Sequence, residues 1–257
     1  MSLTVSAEQF DAVILDMDGV VTDTASLHQL AWRRTFDRFL AHRGPRAGEN
    51  HQPFSQDDYR HFVDGRSRYD GAAAFLASRG VVLPLGDPAD PDSAETLCGL
   101  GNRKDTCFME LVRHRGVEDF GSTVAFVRAC RLAGLRTAVV SASRNCATVL
   151  AAGGVASLFD VRVDGLIAEE LGLPSKPDPA IFLEAARRLG VPPERAVVVE
   201  DAQAGVAAGR RGGFALVIGV DRTRHAAELL ASGAHQVVTD LDEVSVLSSV
   251  ELHGSRS

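Results

Sequence analysis

No apolar stretch in this sequence reaches the roughly 18 consecutive residues that a membrane-spanning helix needs, so none is expected. Long basic runs are missing too, and the formal net charge is −7 at pH 7. A chain of that sign has little to offer nucleic acid or an anionic membrane surface, and neither is expected as a partner. Cysteine is sparse. Cys98, Cys107, Cys130 and Cys146 form no CxxC pair, which argues against zinc and for reduced thiols in the cytoplasm. The opening residues, MSLTVSAEQFDA, lack the charged-then-apolar order of a signal peptide. There is no internal repeat and no low-complexity tract. What is left is ordinary globular composition, 45% hydrophobic and 24% charged over 257 residues, enough for one large domain or two smaller ones.

Short apolar runs recur, each stopping at a polar residue or glycine. They are AVIL before Asp16, RTAVV before Ser141, DVRV before Asp164, RAVVV before Glu200, ALVIGV before Asp221 and QVV before Thr239. Continuous runs of this kind suit strands buried on both faces, as in a parallel sheet. Helical patterns lie between several of them. One covers Thr123 to Leu132, with Ser122 as candidate N-cap and Gly134 as candidate C-cap; another runs from Pro179 to Leu189 and ends at Gly190. Strand alternating with helix predicts an α/β fold with a doubly wound, Rossmann-like parallel sheet.

One region breaks that alternation. Trp32, Phe36, Phe39 and Leu40 share one face of a helix, and further helices are expected around Tyr69 to Ser78 and Ala94 to His114. Polar loops, RGPRAGENHQP and PLGDPADPDS, separate them. The expectation is a helical domain over 25–115 inserted into an α/β core made of 1–24 and 116–257, with HGSRS as a frayed tail.

In an open parallel sheet, ligands bind beyond the C-terminal ends of the strands, so chemistry is sought there. The first end carries Asp16 and Asp18; alone, this DxD is either a capped turn or a catalytic pair. At the second, the Ser141 hydroxyl and nearby N–H groups can hold a phosphate, or Ser141 or Ser143 caps a helix starting near Asn145. In the third motif, LPSKPDP, Lys176 stands among prolines that stiffen its backbone. It is either a placed charge or a solvated loop lysine. At the fourth, Glu200 and Asp201 follow three valines, and two acids there are costly without a cation; a hard divalent ion such as Mg²⁺ would serve.

Together, DMDGV, the Ser141 of VVSAS, Lys176 of SKPDP and the acids of VVVEDAQAG resemble the four motifs of the haloacid dehalogenase superfamily of phosphotransferases. The stretch DMDGVVTDTASLHQLAW is similar to the start of its β-phosphoglucomutase-like subfamily, and the helical insertion matches that subfamily's small cap. The resemblance implies Asp16 as nucleophile, forming an aspartyl phosphate, and Asp18 as general acid/base. It implies Mg²⁺ held by Asp16, Asp18 and Asp201 with Glu200 in or near the coordination sphere, and Lys176 and Ser141 offsetting phosphoryl charge. It further implies a sugar phosphate substrate met by Thr24, His28, Gly65, Arg68, Lys104, Ala142 and Asn145. Among these, His28 and Lys104 match positions that help position the acid/base on cap closure, and Arg68 matches an arginine gripping the far phosphate. A monomer is expected.

One departure stands out. VDGRSR places Asp64 where the mutases carry a lysine, which brings a negative charge beside a phosphorylated sugar. The leading expectation is a β-phosphoglucomutase-like isomerase taking glucose 1-phosphate to glucose 6-phosphate. The alternative is a phosphatase of the same fold acting on a small sugar phosphate. A phospho-accepting regulatory module fits less well, because of the large insertion.

Overall fold

The computed structural model describes residues 3–44 and 46–248, so the HGSRS tail lies outside the described residues. The chain forms two compact units: Met1–Asp23 with Glu118–Ser257, and Thr24–Val117. It enters the first through β1 (Leu3–Ser6) and β2 (Ala12–Asp16). It then builds the second from α1 (Ala25–Arg43), α2 (Gln56–Asp58), α3 (Arg68–Ser78) and α4 (Leu97–Arg115). On return it adds α5 (Gly121–Leu132), β3 (Arg136–Val140), α6 (Cys146–Ala152), β4 (Val161–Val163), α7 (Gly165–Glu170) and α8 (Ala180–Leu189). The chain finishes with β5 (Ala196–Glu200), α9 (Gln203–Arg211), β6 (Leu216–Val220), α10 (Ala226–Ala231), β7 (Gln236–Val238) and β8 (Val244–Leu247).

Six strands form one parallel sheet in the order β4-β3-β2-β5-β6-β7. All of them correspond to apolar runs visible in the sequence. The Ala12–Leu15 side chains of the central strand β2 have no solvent exposure, which explains why that run does not alternate. Each large aliphatic buried this way contributes about 1.5–3 kcal/mol. The register pairs Asp16 with Val140 and Leu15 with Val199. Asp16, Ser141 and Glu200 therefore stand side by side at the strand ends. They do so where the strand order changes direction about β2, the crevice position of doubly wound sheets.

Local details differ from expectation. β1 and β8 make a separate two-stranded parallel sheet, Leu3 opposite Val244, that no apolar run announced. Ser122 does not cap α5: the helix begins at Gly121 with Phe120 in the cap position, and Ser122 bonds Asp240 instead. Ala133 takes the C-cap position of α5, and Gly134 follows it at φ 89°. Neither Ser141 nor Ser143 caps α6, whose cap position is Asn145. The Ser143 hydroxyl accepts from Asn145 N–H, just outside the helix.

The helical unit has its own core. Trp32, Phe36, Phe39 and Leu40 of α1 are all buried, and the Phe36 ring lies 4.3 Å from Phe75 and 5.2 Å from Phe54. A π-type turn at Tyr59–Val63 leads into the VDGRSR loop, where Gly65 sits at φ 71°, a left-handed conformation that favours glycine.

Candidate active site

In the α/β unit the strand ends converge on one lysine. The Lys176 ammonium is 2.5 Å from Asp16 Oδ1 and 2.5 Å from Glu200 Oε1. The second Asp16 oxygen accepts the Asp18 main-chain N–H at 2.9 Å, so both oxygens of this carboxylate are held and its rotamer is fixed. The second Glu200 oxygen accepts the Ala202 N–H at 2.7 Å. A Cβ at Gly205 would overlap the Glu200 carboxyl group, so α9 needs glycine there. Asp18 turns the other way: its Oδ2 accepts the Ser141 hydroxyl proton at 2.8 Å, while that hydroxyl accepts the Ser143 N–H at 3.0 Å. Ala142 follows Ser141 in a loop packed so closely on Gly165 that a Cβ there would meet the Ala142 carbonyl. Gly19, at φ 92°, lets the chain turn out of the strand, and a Cβ at this position would run into the Asp201 carboxylate.

This packing sets the electrostatics. Burial pushes the Asp16 carboxyl well above the usual range; Lys176 pulls it back, while Glu200 and Asp18 push it further up. Burial alone would depress the Lys176 ammonium, but Asp16 and Glu200 outweigh it and raise its pKa. Two carboxylates, Asp16 and Glu200, thus face one buried ammonium, with Asp18 adding negative charge nearby, and a phosphate entering here would add more.

The residues fit a hard divalent cation. Their donors are all oxygen, and Asp201 lies against the turn that carries Asp18. Among the described residues no group of three or more His, Cys, Asp or Glu side chains is placed to hold a metal ion by itself. Mg²⁺ does not require one, because it keeps several waters and uses one or two carboxylates plus substrate phosphate. With both Glu200 oxygens engaged, Glu200 supports the site through Lys176.

In the helical unit, Lys104 Nζ lies 2.5 Å from His28 Nδ1. An ammonium can only donate, so this ring nitrogen accepts. His28 stacks on Phe108 with centroids 3.9 Å apart, and Lys104 sits 4.8 Å from the Phe108 centroid and 5.5 Å from that of Trp32. Thr24 is fully buried at the start of α1. Arg68, the first residue of α3, donates to Asp105 on α4 at 2.9 Å. Nothing in the spacing of the sequence marks that carboxylate. Composition does carry a signal: only two of the 27 Lys and Arg residues are lysines, Lys104 and Lys176, and both are buried.

A doubly wound sheet with acids and a serine at adjacent strand ends, a lysine reaching them from the loop before α8, and a helical insertion after the first of these strands, defines a class of hydrolases and phosphotransferases. The chain belongs to the haloacid dehalogenase-like hydrolase family, whose model matches residues 10–213. It is 47% identical to a β-phosphoglucomutase of Mycobacterium bovis over 241 residues, 92% of each chain. It is 28% identical to a phosphorylated carbohydrates phosphatase of Thermotoga maritima over 243 residues, 93% of this chain and 99% of that one. Its fold is similar to the crystal structure of a β-phosphoglucomutase from Clostridium difficile, with TM-score 0.69 at 23% identity, covering 95% of this chain and 96% of that one. No helix among the described residues is long and apolar enough to cross a membrane.

Proposed function

We propose that the protein is a phosphotransferase that moves a phosphoryl group between two positions of a sugar phosphate, converting β-glucose 1-phosphate to glucose 6-phosphate. The observation that carries this reading is the 47% identity, across nearly the whole of both chains, to a β-phosphoglucomutase.

In this reading a carboxylate oxygen of Asp16 attacks phosphorus, the bond from phosphorus to the departing sugar oxygen breaks, and Asp16 carries the phosphoryl group. The attack is oriented because Lys176 and the Asp18 N–H fix the Asp16 carboxylate. Asp18 protonates the departing oxygen and takes the proton from the hydroxyl that attacks next. The Ser141 hydroxyl on Asp18 Oδ2 holds that side chain away from Asp16. Glu200 keeps Lys176 in place. Mg²⁺, held by Asp16, Asp201 and the Asp18 carbonyl, would offset charge on the phosphoryl oxygens. His28 and Lys104 position the acid/base, and Arg68 takes the phosphate that is not reacting.

A second reading has its own support. Asp64 puts a carboxylate in the loop that should attract a distal phosphate, and the Thermotoga maritima relative is a phosphatase. There, water accepts the phosphoryl group. Phosphorus-31 NMR on β-glucose 1-phosphate, with and without a glucose bisphosphate primer, separates the two. Glucose 6-phosphate appearing with primer supports the mutase. Inorganic phosphate alone, with no isomerised sugar, replaces it with the phosphatase.

A further inference from the structure

The segment DRTRH, Asp221 to His225, follows β6 and plays no part in the four motifs. A charged loop after a strand reads as solvated surface, yet this one turns Asp221, Arg222 and His225 inward while Thr223 and Arg224 stay exposed. His225 lies with Nε2 3.1 Å from the main-chain carbonyl of Asp201. A carbonyl only accepts, so Nε2 carries the hydrogen. Its Nδ1 lies 2.7 Å from the Thr223 hydroxyl and 3.0 Å from Asp221 Oδ1. Asp221 in turn accepts the N–H groups of Thr223, His225 and Ala226 and so shapes the loop from within. The chain reverses at Arg224, whose φ of 63° lies in the left-handed region uncommon for a non-glycine residue.

The other inward side chain is Arg222. Its Nε–H donates to the carbonyl of Gly19 at 3.3 Å, its guanidinium carbon lies 3.6 Å from the Phe120 ring centroid, and its Nη1 reaches Asp240 at 2.5 Å. Asp240 is also bonded by Ser122, which ties the guanidinium to the start of α5. A third link runs from Gln203 at the start of α9 to Glu228 of α10, at 2.6 Å. Gly19 and Asp201 are the residues where the two acid-bearing turns touch. One five-residue loop therefore grips both members of that contact, each by its main-chain carbonyl.

We propose that Arg222 and His225 are positioning residues that set the separation and aim of the Asp18 and Asp201 turns for divalent-cation binding. This rests on the metal reading given above. Fixing the carbonyl of Asp201 fixes the direction in which its own side chain leaves the backbone, and fixing Gly19 does the same for the residue before it. A carboxylate already aimed gives up little freedom when a cation arrives, and groups that orient metal ligands commonly account for about 10–100-fold in affinity.

The test replaces His225 with its two amide mimics and titrates Mn²⁺, following the free ion by electron paramagnetic resonance. Glutamine places an amide where Nε2 stood, whereas asparagine mimics only the Nδ1 side and leaves the Asp201 carbonyl without its donor. The expected result is wild-type affinity within about threefold for His225→Gln and a loss of about tenfold or more for His225→Asn, at matching thermal midpoints. Unchanged affinity in His225→Asn overturns the proposal. So do equal losses in both variants with equally lowered midpoints, since that is what plain structural support would give. If His225→Asn does not fold, Arg222→Ala takes its place, with at least a tenfold loss expected on about the same grounds and unchanged affinity overturning the proposal. Wild-type protein that binds no Mn²⁺ removes the metal reading itself, and the positioning role with it.

Discussion

The chain's two lysines are both buried, and they sit in opposite company. Lys176, in the α/β unit, is met by the carboxylates of Asp16 and Glu200. Lys104, in the helical unit, is met by an imidazole nitrogen and by the rings of Trp32 and Phe108. Lysine is among the residues least often buried, so each needs a reason. For Lys176 the reason is charge balance: two acids brought together by adjacent strands could not stay there without it. For Lys104 the surroundings are aromatic, and π faces accept an apolar chain as readily as a cation. Removing the first lysine should therefore damage the fold as well as the chemistry, and removing the second should damage the chemistry alone.

The largest effect should come from the residue Lys176 holds. Asp16→Asn leaves the shape and the Asp18 N–H contact but removes the attacking carboxylate. Turnover of β-glucose 1-phosphate should fall at least about a thousandfold, roughly 4 kcal/mol of barrier. Steady-state kinetics at saturating Mg²⁺ measures it. A variant keeping a tenth of wild-type kcat would end the covalent role of Asp16.

Next is Lys176→Met, which keeps most of the side-chain volume and removes the ammonium. Stranding a buried charge by deleting its partner costs about 3–5 kcal/mol. Asp16 is already pushed upward by burial and can take a proton, which places the loss toward the lower end of that range. Urea unfolding of both proteins gives the difference. A loss below about 1 kcal/mol, the range of exposed ion pairs, would mean that the charge balance does not hold the strand ends together.

How these differences were legible follows from what each depends on. The six-stranded sheet could be read because burial on both faces writes an unbroken β-branched run, as in AVVV of Ala196–Val199. The pairing of β1 with β8 could not, since LTVS and VSVL are short and meet only through contacts spanning almost the whole chain. Asp16, Ser141 and Glu200 stood out by position at strand ends, whereas Lys176 stood out among its prolines and reaches the site from the loop between α7 and α8, not from a strand end. That Glu200 spends both oxygens on Lys176 and Ala202 is a matter of side-chain direction, which spacing does not encode. Ser122 failed as a cap because Asp240, far along the chain, claims its hydroxyl. Arg222 and His225 were invisible for the same reason, as their partners Gly19 and Asp201 are distant in sequence.

The counterpart in the helical unit is Lys104→Met. Methionine keeps the contacts with Trp32 and Phe108, so unfolding free energy should change by less than about 1.5 kcal/mol, as for volume-conserving swaps. The kcat/KM for mutase turnover should nonetheless fall by about tenfold or more, roughly 1.4 kcal/mol. Urea unfolding and mutase kinetics on the same preparation decide it. If Lys104→Met lost as much stability as Lys176→Met, the contrast between the two lysines would collapse, and both would be structural cations.

The smallest effect concerns the arginine next to that pair in the helical unit. Arg68 is committed to Asp105, with the guanidinium side chain 12% and the carboxylate side chain 29% exposed. If Arg68 takes the distal phosphate, this ion pair must open or share its donors first. A partly exposed pair is worth about 0–1 kcal/mol, so Asp105→Asn should lower KM for the bisphosphate primer by up to about fivefold. It should leave hydrolysis of acetyl phosphate, which has no distal phosphate, nearly unaltered. Arg68→Ala should raise the same KM, and in that background Asp105→Asn should have no further effect, because the two residues act through one contact. Asp64→Lys, which restores a cation to the loop, should lower KM for the primer in either background. A rise in KM for Asp105→Asn would reverse the role of the carboxylate: Asp105 would then aim Arg68 at the phosphate rather than compete with it. That outcome would make Arg68 resemble Lys176, a cation placed by an acid, and would leave Lys104 as the exception among these three cations.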